Sequence, residues 1–207
     1  LLECAPHLGQ GRQQDALEGF EVLMEHGDLG GVVDLYRLPA AVAAPGSGSG
    51  SVTVGSYLAQ ELGCLFRDVR LASPTAFVCG VDNLVLDSAG EFVWAGDGVQ
   101  VEGYDAEIDL GRVFAGGTEA ARYRIAGFVQ HRRAPGAPLG RGGGHYVAYI
   151  RSSASWLVAN DARVAPIPDV PLFYPTLVGL VRVDCASFQT PGIPLRAAST
   201  ALAEDIQ

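Results

Sequence analysis

The chain has 207 residues, of which 48% are hydrophobic and 18% are charged. This composition is typical of a globular domain with a sizeable core, and it excludes an intrinsically disordered chain. The formal net charge of −9 excludes a broad basic surface of the kind that binds nucleic acid, so no nucleic-acid partner is predicted.

The four cysteines are widely separated and form no C-x-x-C pair. Their spacing predicts neither a zinc site nor a disulfide framework. We therefore expect no metal, no cofactor and a reduced, intracellular compartment, cytoplasmic or nuclear. No apolar run approaches the length of about 18 residues that spans a membrane, so no membrane partner is expected.

Two helices are predicted in the first third of the chain. Residues 13–24, "QQDALEGFEVLM", carry apolar residues at helical spacing and acidic residues near the start, where the helix dipole favours anions. Residues 52–65, "VTVGSYLAQELGCL", carry leucines on one side of a second helix. Between them "GVVDLYRL" is typical of a strand, and residues 39–51, rich in Ala, Gly, Pro and Ser, are typical of a flexible connector.

After residue 65 the apolar period changes from helical to two. Short segments rich in Val, Ile and aromatic residues are divided by Gly, Pro and Asp, which is the pattern of strands and turns. Helices early and strands later predict an α+β domain with N-terminal helices and a C-terminal antiparallel sheet. We expect the domain to cover residues 1–185, and residues 186–207 to form an extended tail on the surface or on a partner.

The strand that begins at His145 carries the clearest indication of chemistry. Alternation along "HYVAYIRSS" places the imidazole at the start of the strand, directly after three glycines that let another backbone approach closely. The short connector "RSSAS" predicts a hairpin, so that "WLVAND" returns Asn160 or Asp161 to the histidine. A side-chain oxygen there can accept from one ring nitrogen and leave the other free to act as a base. Spacing alone also allows an ordinary strand-end histidine and an ordinary Asn-Asp turn.

The segments "YRIAGFVQHR" and "GGGHYVAYIRSSASWLVANDARV" resemble the histidine box of the ubiquitin-specific proteases. These are papain-like cysteine proteases that cleave after the C-terminal Gly-Gly of ubiquitin. "QQDALEGFEVLM" resembles the family's Q-Q-D-A-H-E-F helix, with Leu17 and Gly19 in place of its His and Phe. "LASPTAFVCGVDN" and "AEIDLGRVF" resemble two further strands, the first without the family's usual arginine, so the resemblance covers roughly residues 13–183.

The resemblance implies a papain-like fold of the ubiquitin-specific protease type and a role for each residue of the histidine box. His145 would be the general base, Asn160 would orient its ring, and Asp161 would lie adjacent and help at the oxyanion site. The expected partner is the C-terminal tail of ubiquitin or of a ubiquitin-like protein. Four residues are assigned to binding that tail, the last two by lining a channel too narrow for side chains: Gln14, Asp15, Gly144 and Tyr146.

The family's nucleophile is absent from this sequence. In the family, the nucleophile lies in a G-N-T-C-Y-x-N-S box upstream of the Q-Q-D helix, at the start of a long helix. Cys4 lies only nine positions before Gln13, which leaves no room for that helix. Cys64, Cys79 and Cys185 fall within apolar patterns and are predicted to be core residues. The family's zinc-binding fingers are also missing, and "APGSGSGS" occupies that position.

Three interpretations are left open by the missing nucleophile. The first is an active thiol protease whose cysteine lies upstream of Leu1. The second is a catalytically inactive relative that acts as a binding or scaffold module with other subunits of a larger assembly. The third is a protease that processes its own polyprotein after a Gly-Gly site, in which case Leu1 would follow a cleavage point.

Overall fold

The computed structural model describes residues 16–26, 33–39, 51–67, 71–82, 84–86, 92–94, 100–114, 120–133, 144–152, 155–161, 163–170 and 175–183. Within these ranges lie three helices, α1 (Ala16–His26), α2 (Val54–Leu65) and α3 (Gly111–Phe114). The same ranges contain twelve strands: β1 (Asp34–Leu38), β2 (Ser51–Thr53), β3 (Ala76–Val81), β4 (Leu84–Leu86), β5 (Phe92–Trp94), β6 (Gln100–Glu102), β7 (Glu107–Asp109), β8 (Arg122–Arg133), β9 (Gly144–Arg151), β10 (Trp156–Asn160), β11 (Arg163–Ile167) and β12 (Leu177–Arg182). None of the helices in the described residues is both long and apolar enough to cross a membrane.

Both predicted helices are present. The described part of the first begins at Ala16, and residues 13–15 lie outside the described ranges. The second begins two residues later than predicted, because Thr53 is extended and acts as its N-cap. The Thr53 Oγ1 accepts from the Ser56 backbone N–H at 3.2 Å, which satisfies one of the free donors at the start of the helix.

Eight strands form the main sheet, in the order β1-β3-β12-β8-β9-β10-β11, with β7 pairing along β8. The α+β class agrees with the prediction, but the expectation of an antiparallel sheet is wrong in one respect. β1 and β3 are parallel, with Asp34 opposite Phe77, while the other described pairs of this sheet are antiparallel. The connection from β1 to β3 passes through α2, and such a long crossover returns the chain to the same end of the sheet.

The described residues also form two small two-stranded sheets, β2 with β6 and β4 with β5. The strand pattern of residues 68–87 is therefore divided between two sheets, with β3 in the main sheet and β4 in a hairpin with β5.

The core lies mainly on one face of the main sheet. Phe77 on β3 is buried there, and its ring contacts Tyr123 on β8 and Phe114 on α3 at centroid distances of 5.1 and 5.4 Å. The opposite face carries α1. A Cβ on Gly80 would lie 2.6 Å from Leu17 Cδ1, so this glycine lets the helix lie directly on the sheet.

A column of stacked rings supports the middle of β8 and β9. Tyr104 stacks on Phe128 at 4.2 Å, and Phe128 stacks on Tyr149 at 4.6 Å. Trp156 on β10 contacts the Phe128 ring edge-on at 5.7 Å. All four side chains are buried, so the two strands that lead to His145 rest on a rigid aromatic base.

Candidate functional site

The predicted hairpin of β9 and β10 is confirmed by the register, which runs from Trp156 opposite Arg151 to Ala159 opposite Ala148. The next pair in the same register is Asn160 opposite Val147. Because side chains alternate along β9, Val147 and His145 share a face, and Asn160 projects from that face as well. Asn160 is thus a diagonal neighbour of His145, a separation that long side chains can bridge.

His145 and Asn160 are joined by a hydrogen bond between Nε2 and Oδ1. A carboxamide oxygen can only accept, so Nε2 carries the proton and donates. The other ring nitrogen, Nδ1, then holds a free lone pair and can act as a base. The imidazole is reachable, since 45% of the His145 side chain is exposed.

Asp161 follows Asn160 at the end of β10 and places a carboxylate beside the same ring nitrogen. Its Oδ2 lies 3.7 Å from His145 Nε2, and 79% of its side chain is exposed. Its φ of 52° lies in the left-handed region, which Asp adopts more readily than most residues. Because the carboxylate is this exposed, water screens its electrostatic interaction with the ring to a small contribution.

Of the four predicted tail-binding residues, Gly144 and Tyr146 flank His145 on β9. Tyr146 points to the other face of β9, where its ring lies 4.7 Å from that of His131. Gly144 begins β9 opposite Arg133. Gln14 and Asp15 lie outside the described residues. The structure therefore brings together the three residues of the predicted catalytic set, and the tail-binding roles stay predictions.

A polar network beside the histidine was not predicted from the sequence. Arg132 on β8 lies directly opposite His145, and its Nη2 donates to the Tyr149 hydroxyl. That hydroxyl donates in turn to Gln130 Oε1 at 3.4 Å. The motif "VQHRR" was visible in the sequence, but only the pairing of β8 with β9 identifies which arginine faces the imidazole.

Cys79 cannot serve His145 as a nucleophile. Cys79 lies on β3, three strands across the sheet from β9, at the level of Tyr149. Tyr149 is four residues along β9 from His145. That places Cys79 about 14 Å across the sheet and about 13 Å along it. Cys79 is fully buried, which agrees with the prediction, and burial raises the pKa of its thiol.

Cys64 is exposed, so its prediction as a core residue is wrong: it faces outward on the last turn of α2. Two residues later, the Phe66 ring contacts Tyr36 on β1 at 5.0 Å, and β1 lies four strands from β9. Cys4 and Cys185 lie outside the described residues. Within the described ranges, no three His, Cys, Asp or Glu side chains are grouped so that they could hold a metal ion.

No family model and no curated protein matches the chain. Several solved structures match the chain. One described as the Ubp8-Sgf11-Sgf73-Sus1 SAGA DUB module matches with a TM-score of 0.49 and 15% identity, over 72% of this chain and 33% of the other. The SAGA Ubp8/Sgf11/Sus1/Sgf73 DUB module bound to ubiquitin aldehyde matches with a TM-score of 0.47 and 14% identity, over 72% and 35%.

A yeast SAGA DUB module matches with a TM-score of 0.47 and 16% identity, over 72% of this chain and 33% of the other. This chain therefore spans about a third of the length of the chains that it matches.

Proposed function

We propose that this chain belongs to a papain-like thiol protease of the ubiquitin-specific type, which cleaves after the C-terminal Gly-Gly of ubiquitin or of a ubiquitin-like protein. The observation that carries the proposal is the hydrogen bond from His145 to Asn160 at an exposed strand end, which leaves Nδ1 free. The resemblance of the surrounding sequence to the histidine box supports this choice of substrate.

In the proposed reaction, a cysteine outside the described residues supplies the sulfur. His145 Nδ1 accepts the thiol proton, and the thiolate attacks the carbonyl carbon of the terminal glycine. The imidazolium then gives that proton to the leaving amine, which departs as a thioester forms on the cysteine. Water hydrolyses the thioester after Nδ1 takes its proton, releasing a carboxylate and regenerating the thiol.

Asn160 has the orienting role in this proposal. Its Oδ1 holds the proton on Nε2 in every step, so the ring keeps Nδ1 available and cannot rotate freely. Asp161 adds a weak stabilisation of the imidazolium from 3.7 Å. The strand under the ring is anchored, because Val147 and Tyr149 are 0% and 1% exposed. A base held this way loses little freedom when substrate binds.

The proposed partners are the ubiquitin tail and, in an assembly, other subunits, within a reduced intracellular compartment. A second candidate function uses the same surface for binding alone: an inactive relative that serves as a scaffold module. The observation that favours it is the position of both described thiols, since Cys79 is buried and Cys64 lies at the far edge of the sheet.

Cleavage of a ubiquitin–fluorophore conjugate by the full-length protein tests the proposal. His145→Ala should lower kcat/KM about 100-fold or more, because a positioned general base contributes about 10²–10⁴. Arg112→Ala, an exposed change on α3 away from the hairpin of β9 and β10, is the matched control and should leave the rate unchanged.

Three results are informative. Unchanged cleavage by His145→Ala contradicts the proposed mechanism. A protein that binds ubiquitin, cleaves no conjugate and does not react with a thiol-directed ubiquitin probe is the scaffold of the second candidate. A protein that does not bind ubiquitin at all contradicts both.

A further inference from the structure

Arg132 lies directly opposite His145 in the antiparallel pair of β8 and β9. Residues opposite each other in such a pair project from the same face, with Cβ atoms about 5 Å apart. Arg132 therefore stands on the face that carries the imidazole, on the side away from β10. Asn160 and Asp161 approach the ring from the β10 side.

The guanidinium is held in place by a chain of directed hydrogen bonds. Arginine can only donate, so the Tyr149 oxygen accepts from Nη2 and its own proton goes to Gln130 Oε1. The Arg132 Cζ also lies 5.9 Å from the centroid of the Tyr149 ring. Tyr149 and Gln130 are 1% and 6% exposed, so a rigid support holds an exposed cation.

The charge of Arg132 is not balanced within the described part of the chain. Three other arginines have carboxylate partners there: Arg37 pairs with Glu21, Arg122 with Glu107, and Arg151 with Asp105. Across the residues that the structure describes, no carboxylate comes within 4 Å of Arg132. A positioned, unneutralised guanidinium in a chain with a net charge of −9 is suited to an anionic ligand.

We propose that Arg132 binds the C-terminal carboxylate of a peptide that ends in Gly-Gly, beside His145. The position of that peptide beside His145 rests on the proposed function. Hydrolysis at the carbon next to His145 converts a neutral amide into a carboxylate, and neither Asn160 nor the neutral imidazole offsets its charge. Asp161, whose carboxylate lies 3.7 Å from the ring, repels an anion near it, and Arg132 attracts the carboxylate on the β8 side. The same contact would serve a module that only binds.

The test uses the chain as it is, in two titrations. N-acetyl-Gly-Gly with a free carboxylate is added while the ring signals of His145 are followed by NMR, and N-acetyl-Gly-Gly-amide is added as the uncharged counterpart. In parallel, the affinity of ubiquitin with its free terminal carboxylate is compared with that of ubiquitin amidated at the same terminus. The second pair separates a terminal carboxylate from an acidic side chain of the partner.

Arg132→Gln is compared with Arg122→Gln, a charge removal at the far end of β8. The unchanged chain should bind each carboxylate form about tenfold more tightly than the amide, since a hydrogen bond between charged groups contributes about that much. Arg132→Gln should remove this preference and Arg122→Gln should keep it. Tyr149→Phe, which retains the ring but frees the guanidinium, should reduce the preference about threefold.

The proposal is overturned when the unchanged chain does not distinguish carboxylate from amide, or when Arg132→Gln distinguishes them equally well. If ubiquitin binds regardless of amidation, the carboxylate contact is wrong and the proposed function stands. If the acetylated dipeptide shows the Arg132-dependent preference and ubiquitin does not bind, the contact is right and the proposed function is wrong. An unchanged unfolding midpoint in Arg132→Gln shows that the variant remains folded.

Discussion

The two ends of the β9–β10 hairpin differ in how their polar groups are satisfied. At the turn end, Trp156 is 5% exposed and its Nε1 donates to Asp105 Oδ1 at 2.8 Å. The Arg151 Cζ lies 5.6 Å from the centroid of the Trp156 ring, and the Arg151 Nη2 lies 3.4 Å from the same carboxylate. These three side chains engage one another, and such mutual satisfaction of polar groups stabilises a fold.

At the open end the arrangement is the reverse. His145 is half exposed, and its hydrogen bond to Asn160 leaves Nδ1 free. Arg132 has no carboxylate partner among the described residues. The same two strands therefore carry a buried Trp156 whose described partners are all engaged at one end, and an exposed imidazole with a free ring nitrogen beside an unpaired cationic charge at the other. We expect substitutions at the first to change stability and substitutions at the second to change binding or catalysis.

The largest effect is expected at the turn end. Trp156→Ala should lower the free energy of unfolding by about 3–5 kcal/mol, because it removes a buried aromatic ring and leaves a cavity against Phe128. Urea denaturation followed by circular dichroism measures it. Leu157→Ala, on the other face of β10 and only partly buried, is the control and should cost about 1–2 kcal/mol. Equal losses would mean that the ring has no special place in the hairpin.

The next effect is expected at the open end. Under the proposed function, Asn160→Ala should lower kcat/KM of the full-length protein about tenfold to hundredfold, a part of what a general base contributes. Its free energy of unfolding should stay within about 0.5 kcal/mol of the original, since the side chain is exposed. A variant that loses stability and keeps its activity would reverse the comparison between the two ends.

A smaller effect on stability is expected from the acceptor at the turn end. Asp105→Ala should cost about 1–2 kcal/mol, because the mostly buried Trp156 would lose the acceptor for its indole N–H. Asp105→Asn keeps an oxygen there and should cost only about 0.5 kcal/mol, since the pair with Arg151 is 69% exposed on the Asp105 side. Thermal unfolding of both variants separates the hydrogen bond from the charge. Equal losses would assign the effect to the charge.

The smallest effect is expected from Asp161→Asn. The carboxylate is 79% exposed and lies 3.7 Å from the imidazole, so water screens most of its influence. Under the proposed function, we expect kcat/KM to change by no more than about threefold, and by less at high salt. A loss as large as that of Asn160→Ala would instead give Asp161 a direct role at the reacting atoms.

Much of the fold and the core of the site could be predicted because their determinants are local. Helical spacing located α1 and α2 to within a few residues, and the period of two identified the strands around His145. The start of α2 was misplaced because Thr53 caps the helix while Ser51–Thr53 pairs with β6. Cys64 was misassigned because an apolar pattern does not distinguish the covered side of a short helix from its edge.

The sequence by itself predicted that Asn160 or Asp161 returns to His145, because a short connector between two alternating strands permits few registers. The register of β9 with β10 then decided that Asn160 shares the face of the imidazole and bonds to it. Only the tertiary structure decided that Arg132 stands opposite the imidazole, since ten residues separate β8 from β9 and such a connection leaves their register open. The parallel pairing of β1 with β3 was likewise decided by the tertiary structure, because α2 lies in the long connection between the two strands. The local sequence pattern predicts contacts between segments that a few residues connect. Contacts across long connections depend on the packing of the whole core.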